Sequence, residues 1–441
     1  MPWPLGSIGF QWYSSPFGGI LKAVRGMHDI FGLEMTKWKW IETQVRSVFE
    51  NFGYQEIRTP VLENIEVFSK TVGDETDIVE KQMYQVTKEN ESLVLRPEGT
   101  AGFMRAVLEH QLHRDPSVQK YFYYLPMFRH ERPQKGRLRQ FHQFGAEFIN
   151  DSSPEADADV IALLDSIYRK LGITEYDIRI NSLGCLECRP QMKETLTRFL
   201  KPELPKLCEQ CQKRFERAPF RILDCKRESC REITAQGPVL SSCLCSKCQA
   251  HHLQLKKRLN EAQINFIDDP SIVRGLDYYS STAFEFTSSL LGAQSALGGG
   301  GRYDQLAERF GEKPFPAVGF ALGMERLVIA LEAKNAFPEK PLVPRIYLAP
   351  LGDKALDILF PLSLNLRRAG VWTEISYESQ KSLKAQLKHA NRIQCRFSLI
   401  LGEDEINKKT ALLKDMTAQT QMEIPLEGLF ENLLNKVTRE N

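Results

Sequence analysis

The chain has 441 residues, 58 Lys and Arg against 56 Asp and Glu, and a formal net charge of +2. At roughly 150 residues per domain this is enough for two to four domains, and 42% hydrophobic with 26% charged residues excludes wholesale disorder, a collagen repeat and a coiled coil. Pro, Gly or charge interrupts every stretch before the roughly 18 to 20 apolar residues of a membrane span, and near-neutrality excludes a histone-like coat on a polyanion, which leaves local basic patches to decide nucleic-acid contact.

The first 19 residues carry no charge and are broken by Pro2, Pro4, Pro16 and four glycines. Without a basic start or a clean apolar run, residues 1–20 read as a disordered tail and not as a secretion signal. Trp38, Ile41, Val45, Val48, Phe49 and Phe52 then recur at helical spacing, with Gly53 as the stop. A strand runs toward Pro60. Arg96-Pro97-Glu98-Gly99-Thr100 precedes a helical run through Met104, Val107 and Leu108, where a carboxylate complements the helix dipole.

Aromatic-rich runs at Tyr121–Arg129 and Phe141–Phe148 flank a short basic stretch bearing Pro133 and Gly136, the pattern of an antiparallel hairpin with a long charged tip. Alternation puts Arg129 and Glu131 on one face, and Phe141, Gln143, Gly145 and Glu147 on one face of the return strand. If the two faces coincide, the surface suits a small polar ligand. Arginine offers a planar fork to phosphate or carboxylate, a phenyl ring stacks a base, and a glycine leaves room. The tip, with Arg132, Lys135, Arg137 and Arg139, suits a phosphate backbone; a solvated, charge-protected sheet edge is the plain alternative.

A helix over Ala156–Leu171 and a strand over Asp177–Ile180 complete the first part of a domain spanning 21–183. Residues 184–262 form an inserted module, because nine of the ten cysteines fall between Cys185 and Cys248. They pair as Cys185/Cys188, Cys208/Cys211, Cys225/Cys230 and Cys245/Cys248, with Cys243 left over. Short gaps let both thiolates of a pair reach one tetrahedral Zn²⁺, and four pairs can close one or two structural sites. Reduced buried thiols or a redox switch are the rival, and spacing leaves the pairing open. Such clustering without a secretion signal favours metal over disulfides, and the cytoplasm.

The first domain resumes over 263–335. Arg274-Gly275-Leu276-Asp277-Tyr278-Tyr279 places a cation and two phenols beside a strand through Phe284 and Phe286. Gly298–Gly301 lacks the GKS or GKT of a P-loop and the spacing of a dinucleotide fingerprint, says little by itself, and is compatible with a plain turn. A helix is expected over Ala317–Ala333, with Phe320, Met324, Leu327, Val328 and Leu331 as its apolar stripe and Gly319, Gly323, Arg326 and Ala330 on another face. Two helical glycines cost about 1 kcal/mol each relative to alanine, so something approaches closely there, either a phosphate or a packed sheet. Pro338, Pro341 and Pro344 mark a linker at 336–344. Beyond it, strands and helices alternate over 345–441, which signals an α/β domain with a largely parallel sheet. Lys381, Lys384, Lys388 and Arg392 share one helical face there, with no acid between Glu378 and Glu403, the usual sign of a solvated surface.

These stretches together make a resemblance. Tyr54–Glu63 (YQEIRTPVLE), Phe128–Glu147 (FRHERPQKGRLRQFHQFGAE) and Gly319–Arg326 (GFALGMER) are similar to class II synthetase motifs 1, 2 and 3. Val273–Tyr279 (VRGLDYY) and Ala296–Asp304 (ALGGGGRYD) are similar to signatures of the histidine enzyme. From Leu21 to its end the chain resembles a bacterial-type class II histidyl-tRNA synthetase. The resemblance implies an α+β fold: a six-stranded antiparallel sheet with flanking helices, here with the cysteine-rich insertion, a C-terminal α/β anticodon-binding domain, and dimerisation through motif 1.

It also implies ATP-dependent attachment of L-histidine to its tRNA through a histidyl-adenylate. ATP with Mg²⁺ would lie on Arg129 and Arg326, with Phe141 on the adenine and Glu131 near its amine. Histidine would meet Glu98 and Gln143 through its ammonium, and Glu147 and Tyr279 through its imidazole, with Tyr278 and Tyr303 in the same pocket. Arg274, with Arg129, would carry the catalysis, contacting the substrate carboxylate and the α-phosphate. Arg132 and Gln134 would approach the acceptor end of the tRNA, and Lys381, Lys384, Lys388 and Arg392 its anticodon arm. The alternative is a catalytically inactive, synthetase-like regulatory subunit of histidine biosynthesis, which would lose the Arg274 signature and the C-terminal domain; this chain has both.

Overall fold

The computed structural model describes residues 21–72, 82–88, 91–225, 227–273, 278–292, 295–338 and 343–438. The tail expected at 1–20, the centre of the expected linker at 339–342, and Arg274 with its neighbours Gly275 to Asp277 lie outside the described residues. The chain divides into two compact units, 1–337 and 338–441.

The first unit opens on α1 (Gly32–Asn51), which buries Trp38, Ile41, Val45, Val48 and Phe49 on one stripe. Gly53 ends it in the left-handed conformation, φ 75°, which a Cβ would disfavour. After β1 (Gln55–Glu56), a small antiparallel sheet forms from β2 (Leu62–Asn64), β3 (Tyr84–Lys88) and β4 (Glu91–Leu95), with α2 (Ile65–Val72) after β2. Helix α3 (Thr100–Glu109) follows, then the expected hairpin, β5 (Gln119–Phe128) with β6 (Gln140–Ile149). Helix α4 (Pro154–Lys170) starts at Ser153, whose hydroxyl accepts from the Ala156 amide, an N-cap that satisfies an otherwise unpaired donor. Strand β7 (Asp177–Ser182) leads into the cysteine-rich helices α5 (Arg189–Glu203), α6 (Glu209–Arg217), α7 (Glu228–Ala235) and α8 (Ser246–Glu261). Strands β8 (Ile267–Asp268), β9 (Ser280–Thr287), β10 (Ala296–Arg302) and β11 (Ala317–Gly323), then α9 (Met324–Ala333), complete the unit.

The main sheet runs β1-β5-β6-β11-β10-β9-β7-β8. Its six central strands are antiparallel, and a two-residue strand pairs parallel at each edge. Period-2 alternation sorts the two faces. Phe122, Phe144, Phe148, Val318, Phe320, Leu322, Phe284 and Phe286 join the main core with α1 and α4, where Phe49 stacks on Phe122 at 4.4 Å between ring centroids. The alternate residues Gln143, Ala321, Gly323 and Glu285 face a cavity on the other side.

Two expectations fail here for one reason. The helix expected over Ala317–Ala333 is half strand, with α9 beginning only at Met324. Gly319 and Gly323 therefore belong to β11, on the small-residue face of a strand, whereas Arg326 and Ala330 of the same stripe do lie on α9. The tetraglycine is likewise strand β10 and not a turn. Its glycines serve strand packing: a Cβ on Gly300 would lie 1.9 Å from the Gly319 carbonyl oxygen and 2.7 Å from Phe320 Cα. Neither backbone atom can move alone. Gly300→Ala is expected to destabilise the protein by about 1–3 kcal/mol, the usual cost of overpacking, read as a lower urea midpoint at unchanged slope.

The second unit matches the expected alternation through β12 (Ile346–Pro350), α10 (Asp353–Arg368), β13 (Thr373–Ile375), α11 (Leu383–Arg392) and β14 (Phe397–Leu401). Its sheet, β13-β12-β14-β15-β16, is only half parallel. After the short α12 (Glu403–Asn407), β15 (Thr410–Asp415) and β16 (Thr420–Pro425) form an antiparallel hairpin on its edge, and α13 (Leu429–Thr438) packs Leu429, Leu433 and Val437 into the same core. Most of β16 is exposed, so it lacked the apolar run that marks a buried strand.

Candidate active site

The cavity on the open face of the sheet has a volume of about 290 Å³. Residues from motif-like stretches 2 and 3 and from both histidine-enzyme signatures meet in its wall. Arg129, Glu131, Phe141, Gln143 and Arg326 line it, as do Glu98, Tyr278 and Tyr279. Arg129 and Glu131 reach it from the loop after β5, not from the strand itself.

The basic half is held by main-chain contacts. Arg129 Nε donates to the Pro97 carbonyl at 2.8 Å, and its guanidinium sits 5.1 Å from the centre of the Phe141 ring. Its Nη1 lies 4.0 Å from Glu131 Oε1, while Arg137 pairs with the other Glu131 oxygen. Arg326 Nη1 donates to the Ala296 carbonyl at 2.5 Å. Burial lowers the pKa of Arg129; Glu131 and Glu98 oppose this, and the charges of Arg137 and Arg326 add to it. Burial and Arg137 do the same to Arg326. Three guanidiniums held near one another form a receptor for a polyanion such as a triphosphate.

The acidic half lies at the start of α3. Glu98 accepts from the Thr100 and Ala101 amides, each at 2.8 Å, and burial raises its pKa despite these bonds. Gln143 Oε1 is buried without a hydrogen-bond partner, so it offers an acceptor to a ligand N–H. Glu147 and Tyr303 do not line the cavity; they lie beneath it. Glu147 is fully buried and accepts from Thr100 Oγ1 at 2.8 Å, Tyr123 at 3.1 Å and Tyr303. Burial pushes its pKa up to about 8, with the Tyr303 and Thr100 hydroxyls pulling it down and Glu98 adding to the rise. The phenols of Tyr278 and Tyr279 stand close by, their ring centroids 4.7 Å apart.

The glycines expected to leave room for ligand leave room for side chains instead. A Cβ on Gly145 would meet the Tyr123 ring at 2.1 Å, and one on Gly319 would meet Glu147 Oε2 at 2.0 Å. Tyr123 and Thr100 were thus missed as site residues, although alternation along β5 places Tyr123 opposite Gly145. Also missed was the neighbour of Tyr303: Arg302, 2% exposed, holds Asp157 Oδ1 at 2.5 and 3.0 Å. The other Asp157 oxygen accepts from Thr282 at 2.5 Å and faces His251 Nε2 of α8 at 2.7 Å. This buried network joins the cysteine-rich module to the floor of the site.

Of the residues assigned to tRNA, Arg132 and Gln134 sit on the hairpin tip, both exposed. Lys381, Lys388 and Arg392 line a second cavity of about 570 Å³ in the second unit, whereas Lys384 is outside its wall. Lys381 pairs with Glu378 at 2.7 Å, and Arg392 contacts His389 Nδ1 at 2.8 Å. The eight paired cysteines gather into two groups of four, Cys185, Cys188, Cys245 and Cys248, and Cys208, Cys211, Cys225 and Cys230, with all sulfurs of a group within 4.8 Å of one another. Each is a donor set that can hold a metal ion.

Comparison with known proteins gives the family. Residues 26–327 match the Histidyl-tRNA synthetase family, and residues 345–436 match the Anticodon binding domain. A histidine–tRNA ligase from Pelotomaculum thermopropionicum is 43% identical over 94% of this chain and 97% of its own length. One from Syntrophotalea carbinolica is 43% identical over 96% of this chain and all of its own. The crystal structure of apo S. aureus histidyl-tRNA synthetase superposes with a TM-score of 0.80 at 32% identity, covering 94% of this chain and 100% of that one. Nothing in this set favours the regulatory-subunit alternative. With both units matched and the motif residues gathered around one cavity, this chain belongs to the histidyl-tRNA synthetase family.

Proposed function

We propose that the chain attaches L-histidine to its tRNA in two steps at the 290 Å³ cavity. The carboxylate of histidine attacks the α-phosphorus of ATP, and pyrophosphate leaves with the β- and γ-phosphates. The 3′-hydroxyl of the terminal tRNA ribose then attacks the acyl carbon of the adenylate, releasing AMP. No enzyme nucleophile takes part, so catalysis is in-line positioning and stabilisation of charge.

Arg129 and Arg326 hold the phosphates and Phe141 stacks on the adenine, with Glu131 near its amine. Glu98 and Gln143 take the ammonium of histidine. Glu147, backed by Tyr303, takes the imidazole together with Tyr279, and Tyr278 closes the pocket. Arg274 bridges the substrate carboxylate and the α-phosphate. Mg²⁺ neutralises the polyphosphate when bound, and the cavity offers it hard carboxylate oxygens such as those of Glu285. Arg132 and Gln134 meet the acceptor end, and Lys381, Lys384, Lys388 and Arg392 the anticodon arm. Structural zinc in the cysteine-rich module belongs to the same reading.

The observation that carries the proposal is that residues as distant in sequence as Glu98 and Arg326 line one cavity with a basic half and an acidic half. A cytoplasmic homodimer joined through the motif 1 segment accords with the exposure of Val61 and Leu62 there, at 38% and 42%. Among the described residues no helix is long and apolar enough to cross a membrane.

Histidine alone among the twenty amino acids should support ATP–pyrophosphate exchange. Exchange with another amino acid, or with none, would refute the assignment. Arg274→Ala is expected to lower exchange by about 10²-fold or more, the usual loss when one electrostatic stabiliser is removed; near-normal exchange in that variant would remove Arg274 from the mechanism.

A further inference from the structure

The cysteine-rich module has only small apolar clusters of its own. Leu196, Leu200, Leu207 and Ile222 are buried among the cysteines of one, and Met192 and Leu244 among those of the other, and small modules commonly need a metal or disulfides. The ten cysteines are all free thiols.

We infer that the module binds two zinc ions, with the cysteine pairs joined crosswise: Cys185/Cys188 with Cys245/Cys248, and Cys208/Cys211 with Cys225/Cys230. This rests on the zinc reading above and adds its stoichiometry and pairing. Zinc–sulfur bonds of about 2.3 Å in a tetrahedron set the sulfurs about 3.8 Å apart. The Sγ atoms of Cys185 and Cys188 are 3.6 Å apart, those of Cys185 and Cys245 3.9 Å, and those of Cys208 and Cys225 4.0 Å. A disulfide needs about 2.05 Å, so these separations suit a shared ion and not a bond. Each group also has an amide aimed at a sulfur, as ligand thiolates require: Cys245 N donates to Cys188 Sγ at 3.1 Å, and Cys208 N to Cys230 Sγ at 3.3 Å. Cys243 stays out of both, its sulfur 3.6 Å from Thr195 Oγ1. Four sulfurs with no imidazole or open position make closed, structural sites, and soft thiolates select zinc among available divalent ions.

The two sites differ in what they tie together. The 208 group lies inside the module core. The 185 group sits at the neck, where the chain enters and leaves. Its entry strand is bonded to β9, Leu183 N to Ser281 O at 2.6 Å and Ser281 N to Gly184 O at 3.0 Å, immediately after Tyr278 and Tyr279. Its exit is α8, which buries Leu255 and Leu259 in the main core and carries His251 to Asp157. The neck site therefore fixes both chain crossings beside the wall of the active site.

The test is metal analysis of the full-length protein purified without chelator, with zinc K-edge absorption on the same sample. Two zinc ions per chain are expected, each surrounded by four sulfurs. Cys185→Ser/Cys248→Ser should leave one ion, Cys208→Ser/Cys230→Ser should leave one, and the quadruple variant none. One ion per chain, nitrogen or oxygen bound to the metal, or loss of both ions from either double variant would overturn the pairing. Absence of zinc would overturn the zinc reading with it. If the variants fail to fold, Co²⁺ exchanged into the unaltered protein decides, since two ions with tetrathiolate charge-transfer bands support the inference and any other count or spectrum contradicts it. Histidine-dependent exchange, measured separately, reports on the catalytic reading and does not depend on this count.

Discussion

Arg129→Ala should lower histidine-dependent ATP–pyrophosphate exchange by about 10²-fold or more, the range found when one preorganised donor is removed from a transition-state site. The side chain is placed for that task by a bond from Nε to the Pro97 carbonyl at 2.8 Å, which leaves the Nη edge toward the cavity and the plane near Phe141. Arg129→Lys should rescue little, because an ammonium lacks the planar fork and cannot keep both the Pro97 bond and a bidentate phosphate contact. The folded protein should tolerate the loss. Burial, Arg137 and Arg326 disfavour this cation while Glu131 and Glu98 favour it, so the opposing effects largely offset and the thermal midpoint should move little while exchange collapses. An Arg129→Ala protein with exchange within about threefold of the unaltered chain, far short of the loss expected for such a donor, would exclude the residue from phosphate binding.

Glu147→Gln has the second large effect, and it separates specificity from folding. Three hydroxyl donors converge on this carboxylate, from Thr100, Tyr123 and Tyr303, and the imidazole N–H of histidine is proposed as the fourth. An amide offers one acceptor oxygen and turns its NH₂ toward donors. In the histidine complex the imidazole N–H favours the ionised carboxylate, and the amide leaves that buried N–H short of an acceptor at a cost of about 1–3 kcal/mol, so kcat/KM for histidine should fall by up to roughly 10²-fold, since 3 kcal/mol is about two factors of ten.

The same variant should change the pH dependence of stability. Unfolded, the carboxyl ionises near 4.5; folded, it keeps its proton up to about 8. Across that interval the folded state binds the extra proton, so the contribution is complete below about 4.5 and is lost as pH rises to about 8. The amide that replaces the carboxyl does not titrate. The melting temperature of Glu147→Gln relative to the unaltered chain should therefore climb between about pH 5 and about pH 8. A difference independent of pH would contradict the raised pKa.

What could be read from the sequence was what repeats locally. The hairpin of Gln119–Phe128 with Gln140–Ile149 was legible because aromatic alternation has a period of two over ten residues on each strand. Strand β11 was not: in Gly319-Phe320-Ala321-Leu322-Gly323 the glycines also fall four apart, so the run fits a helical face equally well, and only pairing with β6 and β10 distinguishes the two. Tertiary contacts decided the remainder. Gly145 reads as space for a ligand until Tyr123 is seen to fill it. Cys185 and Cys245 are 60 residues apart, and no local spacing says which pair closes on which. Arg302 stood inside a stretch already singled out, yet its role depends on Asp157, 145 residues away. Phe141 and Gln143 line the cavity, as strand alternation and the family resemblance both led one to expect, and Arg129 reaches the same wall from the loop after β5.

A crystal structure of the protein with a non-hydrolysable histidyl-adenylate analogue tests the central claim most directly. The account predicts the adenine against Phe141, the phosphate substitute within hydrogen-bond reach of Arg129 and Arg274, the ammonium at Glu98 and Gln143, and the imidazole between Glu147 and Tyr279. An analogue bound elsewhere, or seated with its imidazole away from Glu147 and its phosphate substitute away from Arg129, would contradict it.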